Sequence, residues 1–78
     1  MMNGGQCRMA RAALRLSMRE LAASAHVGVI TVVRFEAGER LQSRTIEDIQ
    51  RALEGLGVAF NADGRSVRLR ELPELNAI

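Results

Sequence analysis

Arginine is the residue type with the most obvious chemical use in this 78-residue sequence. All eleven basic residues are arginine, and the chain has no lysine, one histidine (His26) and one cysteine (Cys7). A guanidinium group presents a planar fork of donors that matches a phosphate or the edge of a guanine base. An all-arginine basic set also fits a G+C-rich coding bias, and the formal net charge is only +2. The positions of the arginines must therefore indicate what they bind.

The arrangements that catalysis needs are missing from the sequence. One histidine and one cysteine cannot form a zinc cluster, and the serines have no neighbouring base in the sequence. The glycines at positions 4–5 and 55–57 lack the strand-turn-helix context of a phosphate-binding loop. Carboxylates such as Glu47 and Asp48 are expected to serve helix caps and surface ion pairs. We therefore expect no enzyme activity, no metal and no cofactor.

Length and composition predict one small domain. Hydrophobic residues make up 47% and charged residues 26% of the chain, an ordinary balance for a globular protein. No apolar run approaches the roughly 18 residues of a membrane span. A single cysteine cannot form an internal disulfide, which fits a reducing compartment. These features predict a cytoplasmic protein that does not bind membranes.

The hydrophobic pattern predicts four helices in residues 1–57. Ser17 and Glu20 have the spacing of a capping box, which places the start of the second helix. Thr45 and Asp48 have the same spacing ahead of the fourth helix, and Gly38 ends the third. The expected helices cover about residues 4–15, 18–25, 28–37 and 45–56.

The period of the hydrophobic pattern changes from 3.6 to 2 after Gly57. Apolar residues then alternate with polar ones on both sides of the turn-forming segment 61–64, which predicts a β-hairpin. Its expected inner face consists of Val58, Phe60, Val67 and Leu69. An isolated hairpin is marginal in water, so it must pack on the helices or pair with another chain. Residues 58–78 are thus the predicted dimerisation extension, with contacts from Phe60, Val67, Leu69 and Leu72.

Two short helices joined by a three-residue turn are predicted for residues 17–37. An α-helix fits the major groove of B-DNA, and the first helix of such a pair crosses the DNA backbone. The segment SMRELAASAHVGVITVVRFEAG, residues 17–38, resembles the helix-turn-helix of the XRE family, which includes the Cro and repressor proteins of lambdoid phages. The matching residues are Ser17, Leu21, Ala22, Val27, Thr31, Val32, Phe35, Glu36 and Gly38.

The resemblance covers about residues 6–60 and implies a fold and a set of site residues. The implied fold is mainly α, a lambda-repressor-like domain of four to five helices with a C-terminal β-hairpin. The implied base-reading residues are Val29, Ile30, Thr31, Val33 and Arg34. The implied phosphate-binding residues are Ser17, Met18, Arg19, Gly28, Arg40, Ser43 and Arg44. Arg11 and Glu36 fall where the family often places an ion pair between the first and third helices.

Departures from the family pattern leave the use of the third helix open. His26 replaces the turn glycine, and a turn role fits because histidine tolerates the left-handed backbone region better than most residues. Apolar side chains of Val29 and Ile30 replace polar residues that commonly read base edges. Together with Val33 they form a patch with three interpretations: contact with thymine methyl groups, binding of a protein, or burial of Ile30 or Val33 in the core.

The expected function is that of a sequence-specific transcriptional regulator. The resemblance implies binding to double-stranded DNA, and a homodimer is expected because one recognition helix contacts too few base pairs. A regulatory protein partner is also considered. The alternative function is that of a protein-binding antiactivator or antitoxin-like partner built on the same helix-turn-helix scaffold.

Overall fold

Four helices followed by an antiparallel hairpin make up the structure, a computed structural model that describes residues 1–70. The helices are α1 (Gly4–Leu14), α2 (Met18–Ala25), α3 (Val29–Glu36) and α4 (Ser43–Gly55), and the strands are β1 (Val58–Phe60) and β2 (Val67–Leu69). This arrangement confirms the predicted mainly α class and the hairpin. None of the helices in residues 1–70 has the length and apolar character needed to cross a membrane.

The start of α2 follows the predicted capping box. Ser17 Oγ accepts a hydrogen bond from the backbone N–H of Glu20 at 3.0 Å, and Glu20 Oε1 accepts one from the N–H of Ser17 at 2.8 Å. These two bonds satisfy backbone donors that the first helical turn leaves without a partner. The first turn of α2 is therefore fixed by local chemistry that the sequence shows directly.

The start of α4 differs from the prediction. Gln42 is the N-cap and makes no side-chain cap bond, while Thr45 lies inside the helix, so its predicted capping role was wrong. The first turn is closed by the N–H of Ile46, which donates to the carbonyl of Gln42 at 3.1 Å. Ile49 is completely buried and Ile46 packs against the core. Tertiary packing of this apolar face, rather than a cap, holds the helix start in place.

A tight turn joins α2 to α3. His26 has a φ of 59°, in the left-handed region, and its N–H donates to the carbonyl of Ala23. The N–H of Val27 donates to the carbonyl of Ala22 at 3.0 Å, which closes the end of α2. Only three residues separate the two helices, so their relative orientation is tightly constrained.

The hydrophobic core lies between the helices and under β1. Its fully buried members on the helices include Cys7, Leu21, Val32, Ile49 and Leu53, and Ala22 lies where α2 packs on its neighbours. The core includes Val32 and Phe35 of α3, which leaves the opposite face of that helix toward solvent.

Gly4 marks the close approach of α1 to the end of α3. A Cβ atom at this position would collide with the carbonyl oxygen of Phe35 and lie 3.1 Å from the Cα of Glu36. The absence of a side chain therefore allows the first turn of α1 to lie directly on the last turn of α3.

The hairpin packs back on α1 through polar contacts that the sequence analysis missed. Gln6 is buried, and its Nε2 donates to the carbonyls of Asn61 at 2.9 Å and Ser66 at 3.0 Å. Asn3 Nδ2 donates to the carbonyl of Gly64 at 2.7 Å. These bonds attach the hairpin turn to the N-terminal end of α1.

The inner face of the hairpin has the predicted residues, and the described part of the chain covers only part of it. The strand register pairs Val58 with Leu69 and Phe60 with Val67. Val58 is buried, and Phe60 and Val67 pack against the core of their own chain. Leu69 lies opposite Val58 on the predicted face, but it is 56% exposed in the single chain. Within residues 1–70, the hairpin therefore presents one leucine side chain to solvent at the edge of its apolar face.

Candidate nucleic-acid interface

A buried ion pair fixes α3 on α1. Arg11 Nε donates to Glu36 Oε2 at 2.7 Å and Arg11 Nη2 donates to Glu36 Oε1 at 2.8 Å, which is bidentate geometry. The side chain of Glu36 is 1% exposed and that of Arg11 is 16% exposed. Arg11 Nη1 also donates to the carbonyl of Leu16 at 3.0 Å. The pair expected of these two residues is thus present, and it joins the last turn of α3 to α1 and the α1–α2 turn.

Two further groups complete the surroundings of the Glu36 carboxylate. The thiol of Cys7 donates to Oε2 at 3.3 Å, and Arg8 Nε lies 3.7 Å from Oε1. Burial by itself raises the pKa of Glu36, but hydrogen bonds from Arg11 and Cys7 and the two arginine charges outweigh it, so the pKa lies below its ordinary value. Burial and the neighbouring Glu36 raise the pKa of Cys7 to about 12, so Cys7 is a neutral donor here.

The solvent-facing side of α3 is largely apolar. Ile30 is 56% exposed and Val33 is 41% exposed, and Arg34 is exposed beside them. These residues share one helix face because positions i, i+3 and i+4 are neighbours on a helix surface. The interpretation that placed Ile30 or Val33 in the core was therefore wrong.

Two predicted DNA contacts are placed differently. Val29 is half-buried and packs against the core, so it is not part of an outward patch as expected. Met18 also packs against the core with its side chain, although it lies in the first turn of α2. Val29 lies three residues before the buried Val32, and residues three apart lie on the same side of a helix. Thr31 is half-buried, and Gly28 is exposed at the N-cap of α3.

Exposed arginines also lie in the segments that precede and follow α3 in the chain. Arg19 lies in the first turn of α2, Arg40 in the α3–α4 loop, and Arg44 in the first turn of α4. Within residues 1–70, only Arg8 and Arg11 form ion pairs. The guanidinium groups of Arg19, Arg34, Arg40 and Arg44 therefore have no carboxylate partner in the described part of the chain. Ser17 and Ser43 are exposed at the starts of α2 and α4.

Metal sites and ligand pockets are less well defined in residues 1–70 than the outer face of α3. Residues 1–70 contain no group of three or more side chains that could hold a metal ion. A depression of about 340 Å³ lies between the hairpin and the start of α1, lined by Met2, Gln6, Gln50 and Phe60. Its lining contains no residue of α3 and no charged side chain, although it includes Met1 with the amino terminus. The outer face of α3 and the neighbouring arginines form the best-defined candidate site.

Comparison with known proteins adds no assignment to this geometry. The sequence matches no protein-family model and no curated protein.

Proposed function

We propose that this protein binds double-stranded DNA with the outer face of α3 and regulates transcription as a sequence-specific repressor or activator. The observation that carries the proposal is a firmly anchored helix whose exposed side chains are Ile30, Val33 and Arg34. A helix of this kind enters the major groove of B-DNA, where base edges differ from one another. Two helices separated by three residues suit a helix-turn-helix, and a lambda-repressor-like fold of the XRE family is part of the proposal.

The charges around α3 support the same partner. Arg19, Arg40 and Arg44 provide phosphate contacts, and the exposed serines Ser17 and Ser43 lie at helix starts where a phosphate is also favoured. Arg34 supplies the polar contact to a base, since arginine pairs with both acceptors of a guanine edge. Phosphate contacts set the position of the helix and the base contacts supply specificity.

Arg44→Ala is expected to weaken binding to all duplex sequences about equally. Each phosphate contact releases counterions, so its loss reduces the steepness of the salt dependence by about one unit in log K against log salt. Fluorescence anisotropy with several duplexes at a series of salt concentrations measures both effects. Arg51→Ala, an exposed arginine two turns further along α4, serves as the matched control. A change confined to one sequence, or an unchanged slope, contradicts the phosphate role.

A homodimer is part of the proposal because one helix of eight residues reaches few base pairs. A two-fold dimer reads two half-sites about one helical turn apart. Of the four predicted dimer contacts, Phe60 and Val67 pack within their own chain, and Leu72 lies outside the described residues. Leu69 remains as the exposed contact on the hairpin.

Leu69→Arg is expected to convert the dimer into a monomer. The substitution places a charge where two apolar side chains meet, and the position is exposed in the single chain, so folding is retained. Light scattering should show the mass falling from two chains to one. Met9→Arg, at another exposed apolar residue on α1, should leave the mass unchanged. A monomeric wild-type protein, or a Leu69→Arg variant that stays dimeric, would contradict the proposal that Leu69 is a dimer contact.

Protein binding is the second candidate function. Ile30 and Val33 expose aliphatic surface on one helix face, and such surface also suits an apolar protein partner. An antiactivator or antitoxin-like protein would use the same face without DNA. Selection of duplexes from random DNA separates the candidates, because only a DNA-binding protein enriches a common sequence.

A further inference from the structure

We infer that Ile30 and Val33 recognise C5 methyl groups of pyrimidine bases, so that 5-methylcytosine can replace thymine in the binding site. The inference rests on the proposed function and specifies what the outer face of α3 reads. The exposed side chains of α3 are mostly aliphatic, which is unusual for a helix that is proposed to contact polar base edges. Two of them are aliphatic and one arginine is their polar neighbour. Aliphatic groups cannot pair with the donors and acceptors of a base edge.

Methyl groups are the apolar feature that the major groove presents. Thymine carries a methyl at C5, and this group distinguishes thymine from the other unmodified bases. Covering it with an aliphatic side chain removes apolar surface of both partners from water. The exposed side chains of Ile30 and Val33 are therefore complementary to C5 methyl groups.

The spacing of the two side chains fits neighbouring base pairs. Ile30 and Val33 are three residues apart, a rise of about 4.5 Å along the helix. Base pairs of B-DNA are separated by about 3.4 Å. A helix lying in the groove thus brings the two side chains to two adjacent or nearly adjacent pairs, one methyl for each.

The same contact cannot distinguish thymine from 5-methylcytosine. Both bases carry the methyl at the same ring position, and they differ at the exocyclic group on C4, which an aliphatic side chain cannot read. Arg34 follows Val33 on the same face and is exposed without an ion-pair partner in residues 1–70. Its guanidinium fits O6 and N7 of guanine, the base that pairs with methylcytosine. Methylation of a cytosine under α3 should therefore strengthen binding.

The charges favour DNA over a protein as the occupant of this face. Arg19, Arg40 and Arg44 are exposed in the segments before and after α3, where Glu20, Glu39 and Glu47 are also exposed. On α3 itself the carboxylate, Glu36, is buried and paired, so the exposed charge of this helix is that of Arg34. A polyanion that carries apolar methyl groups suits a helix face that exposes two aliphatic side chains and one cation. A duplex with C5 methyl groups has both properties.

The test begins with a duplex selected from random DNA by the full-length wild-type protein. Each thymine is replaced singly by uracil, which removes only the methyl. We expect uracil to weaken binding about fourfold at each of two positions in a half-site, the value of one buried methyl group. Cytosine at those positions should bind more weakly than 5-methylcytosine by a similar factor. Binding is measured by fluorescence anisotropy.

Two variants tie the methyl effect to particular side chains. In Ile30→Ala and in Val33→Ala, the uracil effect should disappear at one position and persist at the other, because a double-mutant cycle isolates a direct contact. Both residues are exposed, so the variants retain the fold. Met9→Ala, on α1, should keep both uracil effects.

The possible failures are distinguishable. A selected duplex that tolerates uracil everywhere, or uracil effects of the same size in both alanine variants, overturns the inference and leaves the proposed function standing. Selection that enriches no sequence overturns the proposed function together with the inference, and it favours a protein partner for the same face.

Discussion

Replacing Arg11 with methionine is expected to lower the free energy of unfolding by about 3 kcal/mol. The substitution removes a bidentate partner from Glu36, whose side chain is 1% exposed. A carboxylate that stays buried without its partner costs several kcal/mol, whereas the methionine retains much of the apolar volume. Urea unfolding followed by circular dichroism measures the difference.

Arg8 provides the matched control for this prediction. Its side chain is 65% exposed and its Nε lies 3.7 Å from the same carboxylate. Solvent screens this pair, so Arg8→Met should cost less than about 1 kcal/mol. A double-mutant cycle of Arg11→Met with Glu36→Leu should show strong coupling, because removing both charges leaves no unpaired ion. Additive effects of the two substitutions would contradict the buried-pair account.

The ion pair of Arg11 and Glu36 should also make the stability of the protein depend on pH in the acid range. The pKa of Glu36 in the folded chain lies below its ordinary value of 4.5. The resulting stabilisation is present above that value and is lost as the pH falls through the lowered pKa. Without Arg11, burial again raises the pKa of Glu36, and protonation then removes the unpaired buried charge. As the pH falls, the stability difference between the wild-type protein and Arg11→Met should therefore shrink, which acid titration of the urea unfolding midpoint measures.

Arg34→Ala is expected to weaken binding to the selected duplex by about 1–3 kcal/mol and to relax specificity at one base pair. Arg34 is exposed on the same face as Ile30, in the last turn of α3. The proposed bidentate contact to guanine would be lost with this side chain, and no base at that position would then be preferred. Competition with duplexes that carry single base changes measures both effects.

Two controls accompany the Arg34 prediction. Arg34→Lys keeps the charge but lacks the planar fork, so it should recover general affinity without the base preference. Arg65→Ala, an exposed arginine in the hairpin turn, should bind like the wild-type protein. If Arg34→Ala loses affinity equally for every sequence, Arg34 contacts phosphate and the proposed base contact is wrong.

Local patterns in the sequence are sufficient to predict most of the helices. The apolar stripe and the Ser17–Glu20 spacing predict α2 correctly, because the capping bonds join residues three apart. The Thr45–Asp48 spacing failed because Ile46 and Ile49 determine the start of α4 through packing. A local motif is thus overridden when a strongly apolar face determines the helix register.

Long-range contacts explain the other differences. As a polar residue, Gln6 would be expected at the surface. Its buried amide instead donates hydrogen bonds to two carbonyls of the hairpin, 55 and 60 residues away along the chain. Alternation predicts that Leu69 lies on the inner face, yet the helices cover only part of that face and Leu69 stays exposed. Val29 turns toward the core for a similar reason: the orientation of α3 depends on how it packs on α2 and α1.

The salt dependence of binding to random-sequence duplex DNA tests the central claim most directly. The proposed phosphate contacts of Arg19, Arg40 and Arg44 in each protomer of the proposed dimer predict a slope of about −5 in log K against log salt, as counterions are released. A slope near zero, or no measurable binding at low salt, would contradict the claim that the outer face of α3 and its arginines form a surface for DNA.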